Sequence, residues 1–241
     1  MRVVAFDTET ALFRPGTMAP ELSCITWQSP GLDARIAHWS DSRPRLKSWL
    51  EDPETMLVGH NVAYDLAVVA AQFPDLRPLI FAALDADRVT DTMIRQQLLD
   101  IAAGCFRGKL GDGNVWITYK YSLLDVARRL SGRVLDKDEW RLGYGPLRDV
   151  PLAEWPEGAR TYPLDDARAT LECYLAQEVH KEFLAPQFHE TRSAFWLHLC
   201  SAWGLRTDEG RVKTLEAETT QKRDEVQAGL VGWSRASGWQ P

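Results

Sequence analysis

The order of short apolar runs in the first hundred residues constrains the fold of this chain most strongly. Three runs of β-branched or alternating residues come first, joined by short turns. After them, strand-like runs alternate with helical patterns, which is typical of an α/β domain. The pattern therefore predicts an α/β domain with a mixed five-stranded sheet flanked by helices. Strands are predicted at 2–6, 22–28, 34–39, 55–58 and 89–90, and helices at 43–52, 62–73 and 92–102.

The remainder of the chain is predicted to contain a glycine-rich loop and several helices. The stretch 104–120 carries four glycines, so we expect an exposed loop there. A mainly polar helix is expected to begin near Val212, and its apolar stripe is too sparse to stabilise an isolated helix. We therefore expect residues 204–241 to be the start of something larger, with the chain cut there. The other helices are predicted at 122–131, 161–182 and 189–203.

Composition and cysteine usage narrow the class of protein. The chain is 45% hydrophobic and 26% charged, as folded globular proteins are. No apolar run approaches the roughly 20 residues that a membrane helix needs, and the first strand reaches Asp7 too early for a signal peptide. The four cysteines stand far apart, which argues against a disulfide framework or a zinc knuckle. We expect a cytoplasmic protein, of a bacterium or a phage-infected host, that binds no membrane.

The net charge of −6 at first argues against a nucleic-acid partner, but the charges are unevenly distributed. Residues 104–148 contain nine basic and five acidic side chains, whereas both flanking regions are acidic. This basic middle segment is either a surface that faces phosphates or an ordinary solvated helix face. The charge pattern alone leaves both interpretations open.

Two carboxylates follow the first predicted strand with one residue between them. Asp7 and Glu9 come after an apolar run, and residues i and i+2 of an extended chain project to the same face. Paired oxygen ligands on a rigid element suit Mg²⁺ or Mn²⁺. The spacing alone is weak evidence, because a chain of this composition contains about one such pair by chance. The pair Asp52 and Glu54, which flanks a proline, is interpreted as part of a loop.

A third carboxylate, Asp65, is predicted in the first turn of a helix. An apolar strand runs into Gly59, polar residues follow, and the helix then begins. The alternative interpretation is an aspartate favoured near a helix N-terminus by the macrodipole. The histidine of this turn, His60, is expected to be satisfied by hydrogen bonds rather than to bind a metal.

A fourth carboxylate, Asp166, shares a helix face with Tyr162. The two residues are one turn apart, so a phenol and a carboxylate can reach the same ligand. The neighbouring Asp165 points away, and we expect it to face solvent. Pro163 is expected in the first turn of this helix, where proline is tolerated. Four carboxylates with a tyrosine match two-metal phosphodiester hydrolysis, in which one ion activates water and the other stabilises the leaving 3′-oxygen.

These motifs resemble those of the 3′→5′ exonuclease superfamily named for its four acids (DEDD). They occur in order as Phe6–Thr10, Asn61–Asp65 and the Tyr162–Asp166 pair. The sister subgroup has histidine five residues before the last aspartate, where this chain has Thr161, so the tyrosine subgroup (DEDDy) is indicated. The sequence is most similar to the proofreading domain of family A DNA polymerases, particularly compact bacteriophage versions. The resemblance implies a ribonuclease H-like fold.

The extent of the resemblance suggests two parts. Residues 1–185 resemble the 3′→5′ exonuclease domain, and 121–148 resemble the stretch before its third motif. Residues 186–241 are expected to be a helical extension, because the sequence from Trp203 to Asp208 resembles the entry to a polymerase thumb. A polymerase domain or a separate polymerase chain is therefore an expected partner of an otherwise monomeric protein.

The resemblance also implies roles for individual residues. Asp7, Glu9, Asp65 and Asp166 would ligate two Mg²⁺ or Mn²⁺ ions, and Tyr162 would orient the attacking water. Near the terminal nucleotides, Leu12 and Phe13 occupy the region where an apolar side chain wedges between bases. Asp91 resembles a helix cap and is left out of the site. The expected substrate contacts are Thr8, Leu12, Phe13, Asn61 and Tyr64, with Lys137 and Arg141 from the basic middle segment as phosphate contacts.

The implied activity is hydrolysis of single-stranded or frayed DNA from its 3′ end, with release of 5′-mononucleotides. One alternative is an RNA-trimming exonuclease of the ribonuclease D kind, which shares the three motifs but carries helical RNA-binding domains. Another is a non-catalytic module that docks DNA for a separate polymerase. The intact set of carboxylates counts against this last hypothesis, because negative charge beside phosphates weakens pure binding.

Overall fold

A computed structural model describes residues 1–14, 17, 19–111, 115–134, 139–204 and 207–237. Of residues 139, 141, 203 and 231–237 it describes the backbone only. The strands are β1 (Arg2–Thr10), β2 (Leu22–Gln28), β3 (Arg35–His38), β4 (Thr55–Gly59), β5 (Val89–Asp91), β6 (Gly108–Leu110) and β7 (Trp116–Thr118). The helices are α1 (Trp39–Glu51), α2 (Val62–Gln72), α3 (Arg77–Asp85), α4 (Thr92–Ala102), α5 (Leu123–Ser131), α6 (Glu157–Glu178), α7 (Gln187–Trp203) and α8 (Glu209–Ser237).

The first five strands form one mixed sheet in the order β3-β2-β1-β4-β5. The strand β1 is central, antiparallel to β2 and parallel to β4, which is itself parallel to β5. This arrangement confirms the predicted mixed five-stranded sheet flanked by helices. It follows from the connections, because short turns join antiparallel neighbours whereas parallel neighbours need a helical crossover.

Helices cover both faces of the sheet. On one face, Val4 and Phe6 of β1 belong to the large core that the sheet forms with α1, α2, α3 and α7. On the other face, Ala5 packs with Leu171 and Tyr174 of α6. Because side chains alternate along a strand, successive residues of β1 serve different layers. The odd-numbered residues of β1 therefore point toward the α6 layer.

Several local predictions differ from the structure. The strand β1 continues to Thr10, so that Asp7 and Glu9 lie within it. The predicted loop 104–120 contains a hairpin of β6 and β7. The helix α6 begins at Glu157 rather than 161, which places Pro163 in its interior instead of its first turn. The helix α3 was not predicted.

The chain divides into two compact units, Met1–Trp203 and Gly204–Pro241. The first includes α7, whose Phe195 is only 1% exposed within the main core, so this unit extends past the predicted division after 185. The second contains α8, a helix whose apolar side chains Leu215 and Leu230 are both exposed. Among the described helices none alone has the length and apolar composition to cross a bilayer; only the bent pair Val62–Gln72 and Pro74–Asp85 does so jointly.

Candidate active site

The central strand carries two carboxylates on the same side. Asp7 and Glu9 alternate with the buried Thr8, so both project toward the α6 layer. The pairing with β2 shifts directly after Glu9: Glu9 lies opposite Cys24, and Thr10 lies opposite Leu22. A β-bulge of this kind is common beside active sites, where it redirects side chains at the end of a strand.

Asp65 reaches the site from the opposite layer. It lies in the first turn of α2, where it is 2% exposed. Its Oδ1 atom accepts hydrogen bonds from the backbone N–H of Thr8 at 3.0 Å and from the Thr8 hydroxyl at 2.6 Å. Thr8 therefore fixes Asp65 beside Asp7 and Glu9, although 57 residues separate the two partners in sequence.

The turn before α2 is sharply constrained. A Cβ atom on Gly59 would lie 2.6 Å from Cγ2 of Val62, so a side chain there would force the turn apart. Asn61 adopts φ 62°, a left-handed conformation that asparagine tolerates better than most residues. The backbone N–H groups of Asn61 and Val62 donate to the Asp91 carboxylate at 3.1 and 2.8 Å. Asp91 thus holds the turn that presents Asp65.

Asp91 and His60 act as the sequence indicated. Asp91 caps α4 by accepting from the N–H groups of Met93 and Ile94. His60 donates from Nε2 to the carbonyl of Tyr121 at 2.9 Å, and its Nδ1 lies 2.9 Å from the Thr92 hydroxyl. Burial lowers the pKa of His60, which favours the neutral ring. Both residues support the site through hydrogen bonds.

The helix α6 contributes Tyr162 and Asp166, one turn apart. Pro163 lies between them and has no N–H, so it leaves the carbonyl of Ala159 without its intrahelical donor. The hydroxyl of the fully buried Tyr144 donates to that carbonyl at 3.1 Å. Burial raises the pKa of Tyr144, which keeps this hydroxyl protonated.

Tyr144 also contacts the other side of the site. Its carbonyl accepts a hydrogen bond of 3.0 Å from the hydroxyl of Ser23, the extra residue at the bulge in β2. Tyr144 therefore links β2, the partner of β1, to α6, the helix that bears Tyr162 and Asp166. Sequence reasoning missed Tyr144, and a proline inside a predicted helix is the signal that could have indicated it.

Three of the four carboxylates converge closely. One oxygen from each of Asp7, Glu9 and Asp166 lies within 4.8 Å of the other two. Asp65 is outside this group of three but raises the pKa of Asp7 by its charge. A set of three hard oxygen donors at this separation fits a divalent cation such as Mg²⁺ or Mn²⁺.

The negative charges of these carboxylates repel one another, and burial adds to the cost of ionising them. Burial raises the pKa of Asp7 well above its usual range, and the charges of Asp65, Glu9 and Asp166 raise it further. Burial raises the pKa of Asp65 to about 7, although the hydrogen bonds from Thr8 oppose the shift. Repulsion of this kind is expected of a site whose carboxylates are normally balanced by bound cations.

The carboxylates line one cavity of about 380 Å³ together with most of the predicted substrate residues. Tyr162 faces this cavity, and Leu12 and Phe13 lie at its rim with 58% and 55% of their surface exposed. The Tyr64 hydroxyl lies 2.7 Å from the hydroxyl of Thr10. The remaining lining residues include Thr8, Asn61, His60, Ala11 and Leu142, of which the last three were not predicted as site residues.

Two predicted phosphate contacts cannot be placed. Lys137 lies outside the described residues. Arg141 belongs to a short 3-10 helix, Glu139–Leu142, but its side chain is not among those described. Both therefore stay predictions.

Comparisons with known proteins identify related sequences and folds. A family model described as a 3′-5′ exonuclease, named for family A DNA polymerases, matches residues 1–182. No curated protein matches the sequence at a significant level.

Solved structures share the fold at low sequence identity. The POL domain of Pol1 from M. smegmatis, in complex with DNA primer-template and dNTP, is 18% identical with a TM-score of 0.57 over 93% of this chain and 33% of its own. RNase D of Escherichia coli, an exoribonuclease, is 22% identical with a TM-score of 0.52 over 85% of this chain and 50% of its own. NrnC of Brucella melitensis with bound Mg²⁺ is 18% identical with a TM-score of 0.51 over 83% of both chains.

Proposed function

Because the chain belongs to the 3′-5′ exonuclease family over residues 1–182, we propose that it removes 5′-mononucleotides from the 3′ end of single-stranded or frayed DNA in a proofreading role. The observation that carries this proposal is the convergence of Asp7, Glu9 and Asp166 within 4.8 Å, in a cavity that Asp65 and Tyr162 also line. Such a cluster fits hydrolysis of a phosphodiester bond.

The cluster would hold the divalent cations. Asp7, Glu9 and Asp166 supply the converging oxygens, and Asp65 would be the fourth ligand. Bound cations would supply positive charge that offsets the phosphate oxygens and lowers the pKa of the attacking water. A water oxygen forms the new bond to phosphorus and the bond to the 3′-oxygen breaks, which leaves a shortened strand with a 3′-hydroxyl group.

The chain's own residues orient the reactants. The Tyr162 hydroxyl forms a hydrogen bond with the attacking water and so aligns the water with the phosphate. Thr8 holds Asp65 in place through two hydrogen bonds, so that its carboxylate needs little rearrangement. Leu12 and Phe13, exposed at the rim, provide an apolar surface for the terminal bases without sequence preference.

The choice of DNA rests on the family model, which is named for family A DNA polymerases. Action as part of a polymerase, or beside a separate polymerase chain, follows from the same likeness. RNA is the competing substrate, because the fold is shared with an exoribonuclease.

A degradation assay with matched oligonucleotides tests the proposal. DNA and RNA of one sequence, labelled at the 5′ end, are incubated with the 241-residue chain in Mg²⁺, Mn²⁺ or EDTA. We expect a DNA ladder that shortens from the 3′ end with either metal, no products in EDTA, and none with Asp7→Ala. Faster loss of RNA than of DNA would replace the DNA proposal with RNA trimming. Intact DNA and RNA under all metals would contradict nuclease activity.

A further inference from the structure

The hairpin of β6 and β7 exposes an unusual number of large apolar side chains. Leu110, Val115, Trp116 and Ile117 are 60%, 63%, 58% and 45% exposed. Leu110 and Trp116 are cross-strand partners and share one face, whereas Ile117 lies on the other. Leu110 and Trp116 together form one exposed apolar patch, and a patch of this kind in a folded protein marks an interaction site.

Trp116 is held in place although it is exposed. A Cβ atom on Gly108 would lie 2.8 Å from Nε1 of Trp116 and 2.5 Å from the carbonyl oxygen of Ile117. Gly108 also has a φ of +153°, which side-chain-bearing residues rarely adopt. The indole therefore lies against bare glycine backbone and leaves much of its surface open, which is the arrangement of a rigid stacking platform.

Basic side chains occur along the same hairpin segment, and Lys109 projects from the face opposite Trp116 because it is the cross-strand partner of Ile117. Arg107, Lys109 and Lys120 are exposed, and within the described part of the chain none of them forms an ion pair. Residues 104–121 contain these three basic residues and one acidic residue, in a chain whose net charge is −6. The segment is therefore locally complementary to a polyanion.

The base of the hairpin is attached to the candidate active site. Phe106 stacks on Tyr121 with ring centroids 5.9 Å apart, and the backbone N–H of Arg107 donates to the Tyr121 hydroxyl at 3.1 Å. The carbonyl of Tyr121 accepts from Nε2 of His60 at 2.9 Å, and His60 lines the cavity. A nucleic-acid strand that leaves the cavity past His60 would therefore reach the base of the hairpin.

We propose that this hairpin binds the single-stranded substrate upstream of its 3′ end, with a base stacked on Trp116 on one face and the phosphate backbone crossing the hairpin edge to Lys109 on the other. The proposal rests on the function proposed above. Stacking on an aromatic ring beside basic groups is how single strands are bound without sequence preference. A protein partner fits less well, because lysine is depleted at the centre of protein interfaces.

Dependence on substrate length tests this proposal. The variant Trp116→Ala/Lys109→Ala is compared with wild type and with Phe183→Ala/Lys181→Ala, a matched control on a separate exposed turn. The kcat/KM values are measured for a dinucleotide and a 12-nucleotide DNA in Mg²⁺. We expect the hairpin variant to lose about tenfold on the longer DNA, which corresponds to one lost base stack, and nothing on the dinucleotide. The salt dependence of KM should also weaken, since a phosphate contact is removed.

The outcomes separate this proposal from the proposed function. Equal losses of kcat/KM on both substrates, or no loss on either, would overturn the role of the hairpin while leaving the nuclease activity established. If the variant also binds DNA as the wild type does, the apolar face would be assigned to a protein partner. If the wild type cleaves neither substrate, the proposed function fails. The hairpin is then judged by fluorescence anisotropy of the labelled 12-nucleotide DNA in EDTA, where weaker binding by the hairpin variant than by the control supports it and equal binding overturns it.

Discussion

Asp7 and Glu9 lie on a strand that is hydrogen-bonded on both sides, whereas Tyr162 and Asp166 lie on a helix whose hydrogen bonding is interrupted between them. We call the first group, with Asp65, the strand wall of the site and the second the helix wall. The strand wall is fixed by backbone pairing and by two buried hydrogen bonds from Thr8. In the helix wall, the interruption at Pro163 is met by a side-chain hydroxyl from elsewhere in the chain, that of Tyr144.

This difference shows where the geometry of the site is vulnerable. Asp7 and Glu9 lie in backbone register with β2, and this pairing does not depend on side-chain identity, so we expect their direction to tolerate most substitutions nearby. The carbonyl of Ala159, in contrast, loses its only described donor if Tyr144 loses its hydroxyl. The following variants test this contrast, beginning with the largest expected effect.

Removing a carboxylate from either wall should abolish activity equally. We expect Asp7→Ala and Asp166→Ala to lower kcat/KM on DNA by about three orders of magnitude or more, because each weakens cation binding worth several kcal/mol to the transition state. The matched control is Asp165→Ala, which removes a half-exposed carboxylate that pairs with Arg168 on the same helix. Near-normal activity in Asp7→Ala would contradict the assignment of metal ligands.

Asp7→Ala should lower activity but should not lower the stability of the metal-free protein. Burial and the charges of neighbouring carboxylates raise the pKa of Asp7, so Asp7→Ala removes an unfavourable buried charge, and its melting temperature in EDTA should be equal to or above that of the wild type. A stable but inactive variant would separate the chemical role of the strand wall from its structural role.

The tyrosine of the helix wall should matter less than the carboxylates. We expect Tyr162→Phe to lower kcat by roughly 10²-fold, because the hydroxyl orients water while the cations balance the charge. The measurement is single-turnover cleavage of the 5′-labelled DNA at saturating enzyme. A loss as complete as that of Asp7→Ala would show that the hydroxyl does more than orient water.

The support of the helix wall by Tyr144 can be tested with a double-mutant cycle. We expect Tyr144→Phe to lower kcat by up to about tenfold, the worth of one buried hydrogen bond. Pro163→Ala restores an N–H that can donate to the Ala159 carbonyl, so Tyr144→Phe should have little effect in that background. Tyr174→Phe, which alters a buried tyrosine further along the same helix, is the control.

Additive losses in the cycle would mean that Tyr144 acts independently of the interrupted helix. The loss would then not arise at the Ala159 carbonyl, and it would not arise at Ser23 either, because the backbone carbonyl that accepts from Ser23 is retained in phenylalanine.

The smallest effect concerns the pH dependence of stability. The pKa of Asp65 is raised from its usual value of 3.8 to about 7, so the folded state binds more protons than the unfolded state between these values. Asp65 therefore destabilises the metal-free fold increasingly as pH rises through this range. We expect the melting temperature of Asp65→Asn in EDTA to exceed that of wild type by several degrees at pH 8 and by almost nothing at pH 4.

Comparison with a variant is necessary because burial also lowers the pKa values of His60 and His198, which adds stability as pH rises. Those contributions are common to both proteins and cancel in the difference. Saturating Mn²⁺ should stabilise wild type more than Asp65→Asn. A difference in melting temperature that is independent of pH would contradict the raised pKa of Asp65.

Much of the site was predictable because its residues come in pairs that are close together in the sequence. The pair Asp7 and Glu9 shares a face in any extended strand, and Tyr162 and Asp166 share a face in any helix. The mixed character of the five-stranded sheet also followed from the succession of strands and helices. The shift of the α6 start to Glu157 was not predictable from periodicity, since a proline at 163 normally indicates the first turn.

The sequence by itself determined the mixed sheet and the acid-bearing segments, because periods of two and four residues are properties of the backbone, and its motifs matched the family. Only the tertiary structure decided that Thr8 anchors Asp65, that Tyr144 bridges Ser23 and Ala159, and that Trp116 lies against Gly108. The first two of these join residues between 15 and 121 positions apart. Contacts of that kind depend on how whole layers pack, and no local pattern of residue types encodes them.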